Sequence, residues 1–366
     1  MNNIEQLVKM SRYAGNRFDL VQSGVGNSSV KLENGEMLIK ASGVRLSQVS
    51  RQSNIATVSL KKVRDILTNP KLLSLSDKKT KEKIALNLIG QAIKDNSPRP
   101  SIETIFHAMF ESRYVLHTHP IAVNLLVCRK NWRQVSSELF DSAVMCVDYK
   151  TPGVELAFEV KAELKKYEEK YGTRPTITFL QNHGLIINTD SFEEIIPMTE
   201  QVLGRLEDYF EIDTEKFKQV TKIADLINGA GETGYIAYLS QDQVINSLLP
   251  AHRHLFEQPP VFPAKVELCG ISVCEIQNIT DQKVVQKYQQ QYFEWPKVVI
   301  FKNKVFFLAV DLHKAREMES VFKAHLLTLL NIKQEELNYL EGAEVEYLKN
   351  WEVDKYRNCG SVNNFV

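Results

Sequence analysis

The sequence predicts an α/β protein: three layers, α/β/α, around a central mixed, largely antiparallel sheet, followed by a smaller C-terminal α+β domain. Three observations carry this. Apolar stretches of strand length alternate with stretches of helical period over residues 1–230, which calls for helices covering a sheet. Tight hairpin signals add antiparallel pairs, so the sheet is mixed rather than purely parallel. Gly229, Gly231 and Gly234 then cluster at a boundary, beyond which the alternation resumes on a smaller scale. The expected domains are residues 1–230 and 235–366.

Taken in order, Ile4, Leu7, Val8 and Tyr13 are spaced for an amphipathic helix over residues 4–14. The loop Gly24-Val25-Gly26-Asn27-Ser28-Ser29 leads into a hairpin of residues 29–32 and 37–40, whose turn holds Asn34-Gly35. A second small loop, Ala41-Ser42-Gly43, follows. Residues 55–68 and 78–95 read as helix-rich. Pro98 and Pro100 break the chain, and Ser101 is placed to cap a helix ending near Glu111. Tyr114-Val115-Leu116 opens a strand, residues 143–149 form another, and 156–171 is an amphipathic, charge-laced helix. Strands 176–180 and 185–188 meet across the turn Gln181-Asn182-His183-Gly184, before a helix over 192–211. In the second domain Pro250, Pro259, Pro260 and Pro263 punctuate the chain. A strand over 265–276, a helix over 281–292 and a hairpin of 298–301 with 305–310 follow. The last helix, 311–331, carries Ala315, Met318, Phe322, Leu326 and Leu329 at helical spacing.

A length of 366 residues suits two domains, and 45 Lys+Arg balance 45 Asp+Glu, so no net field draws in nucleic acid or anionic membrane. The start, Met1-Asn2-Asn3-Ile4-Glu5, lacks the segments of a signal peptide, and no apolar run approaches the ~18 residues of a membrane span. Cys128, Cys146, Cys269, Cys274 and Cys359 are odd in number and form no CxxC pair; they read as reduced packing thiols of a cytoplasmic protein.

Chemistry concentrates at His117-Thr118-His119. Side chains alternate on a strand, so both imidazoles share a face, where they repel if protonated and need partners if neutral. A divalent metal answers both needs; two half-exposed strand histidines are the plain alternative. His183, at a strand-turn-strand point, is a candidate third ligand or a polar turn residue. Glu103 is a candidate acid/base at the start of the helix leading to the histidines, although a carboxylate there also suits the helix dipole, and Glu103 and His107 are spaced to pair. The two glycine-serine loops suit anion binding through backbone N–H groups, or are simple turns. Gly24-x-Gly26-x-x-Ser29 is not a dinucleotide fingerprint, because the third glycine is missing and a hairpin follows. His252-Arg253-His254 lies between prolines with no strand to align it, and reads as a solvated loop.

Together, Gly26-Asn27-x-Ser29, Ser42-Gly43, Pro100-Ser101-Ile102-Glu103, His117-Thr118-His119-Pro120 and Asn182-His183-Gly184 resemble, in order, the class II aldolase/adducin family. That family includes fuculose-1-phosphate aldolase, rhamnulose-1-phosphate aldolase and ribulose-5-phosphate 4-epimerase. The resemblance covers about residues 1–230. It implies one zinc ion per subunit on His117, His119 and His183, with manganese, iron or cobalt as possible substitutes. It also implies proton transfer by Glu103, and substrate phosphate at Gly26, Asn27, Ser42, Gly43 and Ser101. Ile102 departs from fuculose-phosphate aldolase, which has a second serine there. The implied protein is a homotetramer, with sites at subunit interfaces, acting on a small sugar or sugar phosphate. Its implied reaction is aldol cleavage of a ketose, as its 1-phosphate, into a dihydroxyacetone phosphate-like fragment and an aldehyde. An epimerase or dehydratase on the same metal site and a non-catalytic adducin-type module are the alternatives. Tyr149 is either the acid for the leaving alkoxide or a core tyrosine. Residues 296–310, the helix from Asp311, Leu340-Glu341-Gly342-Ala343-Glu344 and Glu346-Tyr347-Leu348 are similar to the tail of the aldolase half in rhamnulose-phosphate aldolase/alcohol dehydrogenase fusions, without any nicotinamide-binding fingerprint.

Overall fold

A computed structural model describes residues 1–349 apart from 95, 142, 143, 232, 233 and 341. Ala143 of the expected strand, Glu232 and Thr233 of the expected boundary, Glu341, and Cys359 with the rest of 350–366 lie outside the described residues. The chain forms two compact units, Met1–Glu215 and Lys216–Val366. The division falls after the first residue of the helix Glu215–Gly231. That helix buries Val220, Ile223 and Ile227 in a core of the second unit.

The first unit is built on seven strands: β1 (Asn27–Lys31), β2 (Glu36–Lys40), β3 (Ile55–Ser59), β4 (Tyr114–Thr118), β5 (Val144–Val147), β6 (Ile177–Leu180) and β7 (Gly184–Thr189). Their order is β3-β2-β1-β4-β7-β6-β5. Only the β5–β6 pair is parallel, because the helix Val154–Tyr171 makes the crossover between them. The sheet is therefore mixed and mainly antiparallel, with helices on both faces. One face packs Tyr114 and Leu116 against Leu7 and Met10 of Asn3–Gly15 and Val202 and Leu206 of Phe192–Phe210. The other packs Val115 and Ile186 against Ile89 of Lys78–Ala92, Ile105 of Thr104–Met109 and Val160 of Val154–Tyr171. Period-two alternation sends His117 to this second face with Val115.

The segment expected to be helical at 55–68 begins instead as β3, because Ala56 and Val58 alternate with Ile55, Thr57 and Ser59; Ser59 then caps the short helix Leu60–Arg64. The outer rim of β3 is covered. Val58 bridges to Ile93, Lys94 donates its backbone N–H to the Thr57 carbonyl, and the Ser97 hydroxyl accepts from the Thr57 N–H at 2.9 Å.

The second unit carries β8 (Ile236–Leu239), β9 (Cys274–Ile276), β10 (Val298–Phe301) and β11 (Lys304–Ala309), ordered β8-β11-β10-β9. Gln243–Ala251 and Leu312–Asn331 cover one face, Glu215–Gly231 and Gln282–Tyr292 the other. The strand expected over 265–276 is the helix Pro263–Cys269 followed by β9, so Cys269 is helical and Cys274 is in a strand. Pro263 occupies the first helical turn, where its missing N–H costs nothing. No helix among the described residues is long and apolar enough to cross a membrane.

Candidate metal centre

β4 ends at the site. Its partner residues across the ladders are Asn27 of β1 and Ile186 of β7, both in register with His117. His119 follows one residue past the strand, held by its backbone N–H to the Leu20 carbonyl at 2.9 Å. His183 stands in the turn between β6 and β7. Asn182 adopts a left-handed φ of 52° there, and a Cβ on Gly184 would lie 2.4 Å from the Thr118 carbonyl. Only glycine lets β7 begin so close to β4, and that closeness delivers His183 to the other two imidazoles.

The three rings converge. His117 Nε2 lies 3.2 Å from His183 Nε2 and 3.1 Å from His119 Nε2. Tetrahedral Zn–N bonds of ~2.0–2.1 Å place ligand nitrogens about 3.3 Å apart, close to both spacings. His117 Nδ1 is 3.0 Å from the Leu185 carbonyl, so the proton sits on Nδ1 and Nε2 keeps its lone pair. Burial pushes His117 down to about 4 and His119 down to about 3, so both are neutral near pH 7. Three imidazoles whose ring nitrogens converge are a donor set for a divalent cation. Among the described residues, no other three His, Cys, Asp or Glu side chains have this geometry.

Glu103 precedes the helix Thr104–Met109 and faces the rings, with Oε1 3.4 Å from His183 Nε2 and 3.8 Å from His117 Nε2. Its Oε2 accepts a hydrogen bond from Asn27 Nδ2. Burial opposes its charge, but the facing imidazoles outweigh burial and hold the carboxyl at about 2. The N-cap position is Glu103 rather than Ser101, and the helix ends at Met109; Ser101 contributes only its carbonyl, to the Thr104 N–H and hydroxyl. Glu103 does not reach along the helix to His107, which bonds to Ser29 Oγ at 2.8 Å instead.

The glycine-serine loops lie around this cluster. Gly26 takes φ 80°, and a Cβ there would meet the His117 carbonyl at 2.9 Å. Ser42 and Gly43 are exposed, and the Ser42 N–H donates to the Arg99 carbonyl while Ala41 bridges to Pro100, so this loop runs beside Ser101. Among the described residues, Asn27 Oδ1 and Ser101 Oγ are buried without a hydrogen-bond partner. Sequence reasoning missed Lys40. Its buried ammonium donates to the Gly24 carbonyl at 3.2 Å and the Val44 carbonyl at 2.7 Å, tying the two loops together. Burial lowers it to about 8, with the Glu103 charge acting the other way. The available signal was a lysine closing an apolar strand between two glycine loops. Tyr149 is 52% exposed, not a core residue; its backbone N–H donates to the side chain of Gln181, two positions before His183. His252 and His254 belong to the second unit, their ring centres 6.2 Å apart.

Residues 5–204 match the family described as the Class II Aldolase and Adducin N-terminal domain. A Bacillus subtilis protein named an uncharacterized oxidoreductase, YuxG, is 26% identical over 216 residues, or 56% of this chain; the match spans only 29% of that relative's length. The N-terminal class II aldolase domain of a conserved Thermoplasma acidophilum protein is 23% identical, with 57% of this chain and 94% of that one covered and a TM-score of 0.47. A Thermotoga maritima sugar-phosphate aldolase is 16% identical, with 57% and 94% covered and a TM-score of 0.42. With its family match extending across more than half of its length, the chain belongs to the class II aldolase and adducin family.

Proposed function

We propose that the chain is a zinc-dependent class II aldolase, a cytoplasmic homotetramer that cleaves a ketose phosphate into a dihydroxyacetone phosphate-like fragment and an aldehyde. One observation carries the reading: three imidazole nitrogens converge beside a carboxylate that lies 3.4 and 3.8 Å from two of them. His117, His119 and His183 would hold the metal, leaving a position open, as in catalytic zinc sites. When bound, the ion supplies Lewis acidity that lowers the cost of negative charge on the ketose oxygens.

The chain's own groups then manage protons and substrate. Cleavage takes a proton from the hydroxyl on the aldehyde-forming carbon and returns one to the carbon that keeps the bonding electron pair. Glu103, held by Asn27 and ionised at rest, is the group for the second transfer: it takes up a proton from solvent, delivers it to that carbon, and as the carboxylate serves as base in the reverse, condensing direction. Tyr149 is the candidate for the first, an exposed phenol on backbone held by the turn that bears His183, which as an acid gives that proton to the aldehyde oxygen in the condensing direction and as the phenolate recovers it in cleavage. Gly26, Asn27, Ser42, Gly43 and Ser101 would bind the phosphorylated end. The unpartnered Ser101 hydroxyl suits a phosphate oxygen, and the unpartnered Asn27 Oδ1 suits a substrate hydroxyl.

Elemental analysis of the purified protein, with a retro-aldol screen on ketose 1-phosphates, tests the reading. About one zinc per chain and two carbonyl products per turnover are expected. A single epimerised or dehydrated product would replace cleavage with one of those chemistries on the same site. Metal-free protein without turnover would leave an adducin-type binding module.

A further inference from the structure

Thr104–Met109 is six residues long, well short of the ~12–15 that sustain a helix alone, and Glu103 makes no side-chain cap bond to it. Tertiary contacts therefore decide where Glu103 stands. Two polar contacts tie this segment to β1: Asn27 to Glu103, and Ser29 to His107. Asn27 and Ser29 project from the same face of β1, two residues and about 6.6 Å apart. Glu103 and His107 stack one turn apart on the helix, about 6 Å along its axis. The two spacings match, so the strand accepts the helix in one register. β1 is itself in register with the metal-site strand, Asn27 lying opposite His117.

A ring contact closes the loop. His107 stacks on Phe106 at 5.1 Å and 22°, and Phe106 meets the His117 ring edge-on at 5.3 Å and 89°. His107 is fully buried, and among the described residues its Nε2 has no hydrogen-bond partner. An apolar side chain of the same size would spare the fold that unsatisfied nitrogen, so stability alone does not account for a histidine here.

We infer that Ser29 and His107 are positioning residues: their hydrogen bond, with that of Asn27 to Glu103, sets the helix register that aims the Glu103 carboxylate at the imidazole cluster. The catalytic part of this inference rests on Glu103 being the proton-transfer group; the geometric part does not. The variants are His107→Leu, which keeps the packing, Ser29→Ala, and His107→Asn, whose amide reaches the place of Nδ1. Metal-free crystal structures of the wild type and variants read the Glu103 position without substrate or zinc. In His107→Leu and Ser29→Ala, the 3.4 Å Glu103–His183 distance is expected to lengthen by about 1 Å or more, and His107→Asn to restore it. With a substrate in hand, kcat falls roughly 100-fold at a KM within about threefold, as for an ångström-scale misplacement, with zinc content unchanged. An unmoved carboxylate in both variants overturns the inference, as does undiminished kcat. A wild type without aldolase turnover counts against the proposed reaction alone, because the crystal structures still decide the positioning.

Discussion

Glu103 is 16% exposed, touches two candidate ligands and is held on its other oxygen by Asn27. Glu103→Gln keeps that amide-sized contact and removes the proton transfer. Its kcat is expected to fall by ~10²–10⁴, with zinc retained at the wild-type ratio. Full turnover in that variant would remove Glu103 from the mechanism. The imidazoles impose a pH dependence on the metal-free protein. Their folded values, about 4 for His117 and about 3 for His119, lie below the 6.5 of an unfolded histidine. The unfolded chain therefore takes up protons first as pH falls. The stabilisation is complete above pH 6.5 and is lost as pH drops towards 4 and then 3. Urea midpoints measured from pH 7.5 to 4 should decline over that range, and a flat profile would contradict neutral buried imidazoles. Zinc should be released over the same interval, because only the neutral ring binds it. His117 and His119 were legible in the sequence because strand alternation fixes their common face, and His183 because an Asn-His-Gly turn joins two apolar runs. Lys40 was not: a lysine at a strand end ordinarily reads as solvated, and only the folded chain shows its ammonium between two carbonyls.

Elements place these residues through close backbone approach. Gly26→Ala adds a methyl 2.9 Å from the His117 carbonyl at a φ of 80°. It should cost ~1–3 kcal/mol, read as a lower denaturation midpoint at unchanged m-value. A neutral effect would mean that the β1–β4 junction is looser than its spacing implies. Most elements of the first unit followed from pattern, since Asn34-Gly35, the 3.6-residue period of 156–171 and the strand alternation each have a single physical reading. Two did not. β3 runs straight into the helix Leu60–Arg64, so strand and helix periods merged into one apparent helical stretch. Pro263–Cys269 lies among prolines and apolar residues, a pattern that reads as a strand although Pro263 suits a first helical turn.

At the scale of the whole molecule, every residue assigned to metal, proton transfer or substrate lies in Met1–Glu215. The hydrophobic cores of that unit are drawn from residues 7–206 and those of the second from 220–348. Calorimetry of the full chain should show two transitions. Free zinc at 100-fold its dissociation constant adds ~2.7 kcal/mol to the unit that binds it, so one transition should rise and the other stay. Movement of both by the same amount would show a single cooperative system. The glycines near 230 end a helix whose buried residues belong to a core of the second unit; glycine marks where a helix stops and not which core that helix joins.

The covered rim of β3 has a consequence for handling the protein. Ile93, Lys94 and Ser97 occupy backbone groups that would otherwise be free to recruit a strand from another copy. Mild heating or a protease nick that peels this short strap away would expose a sticky border while the rest of the sheet stays folded. Clumping would then begin from near-native molecules, and the strap, rather than global melting, would set the shelf life of a concentrated sample.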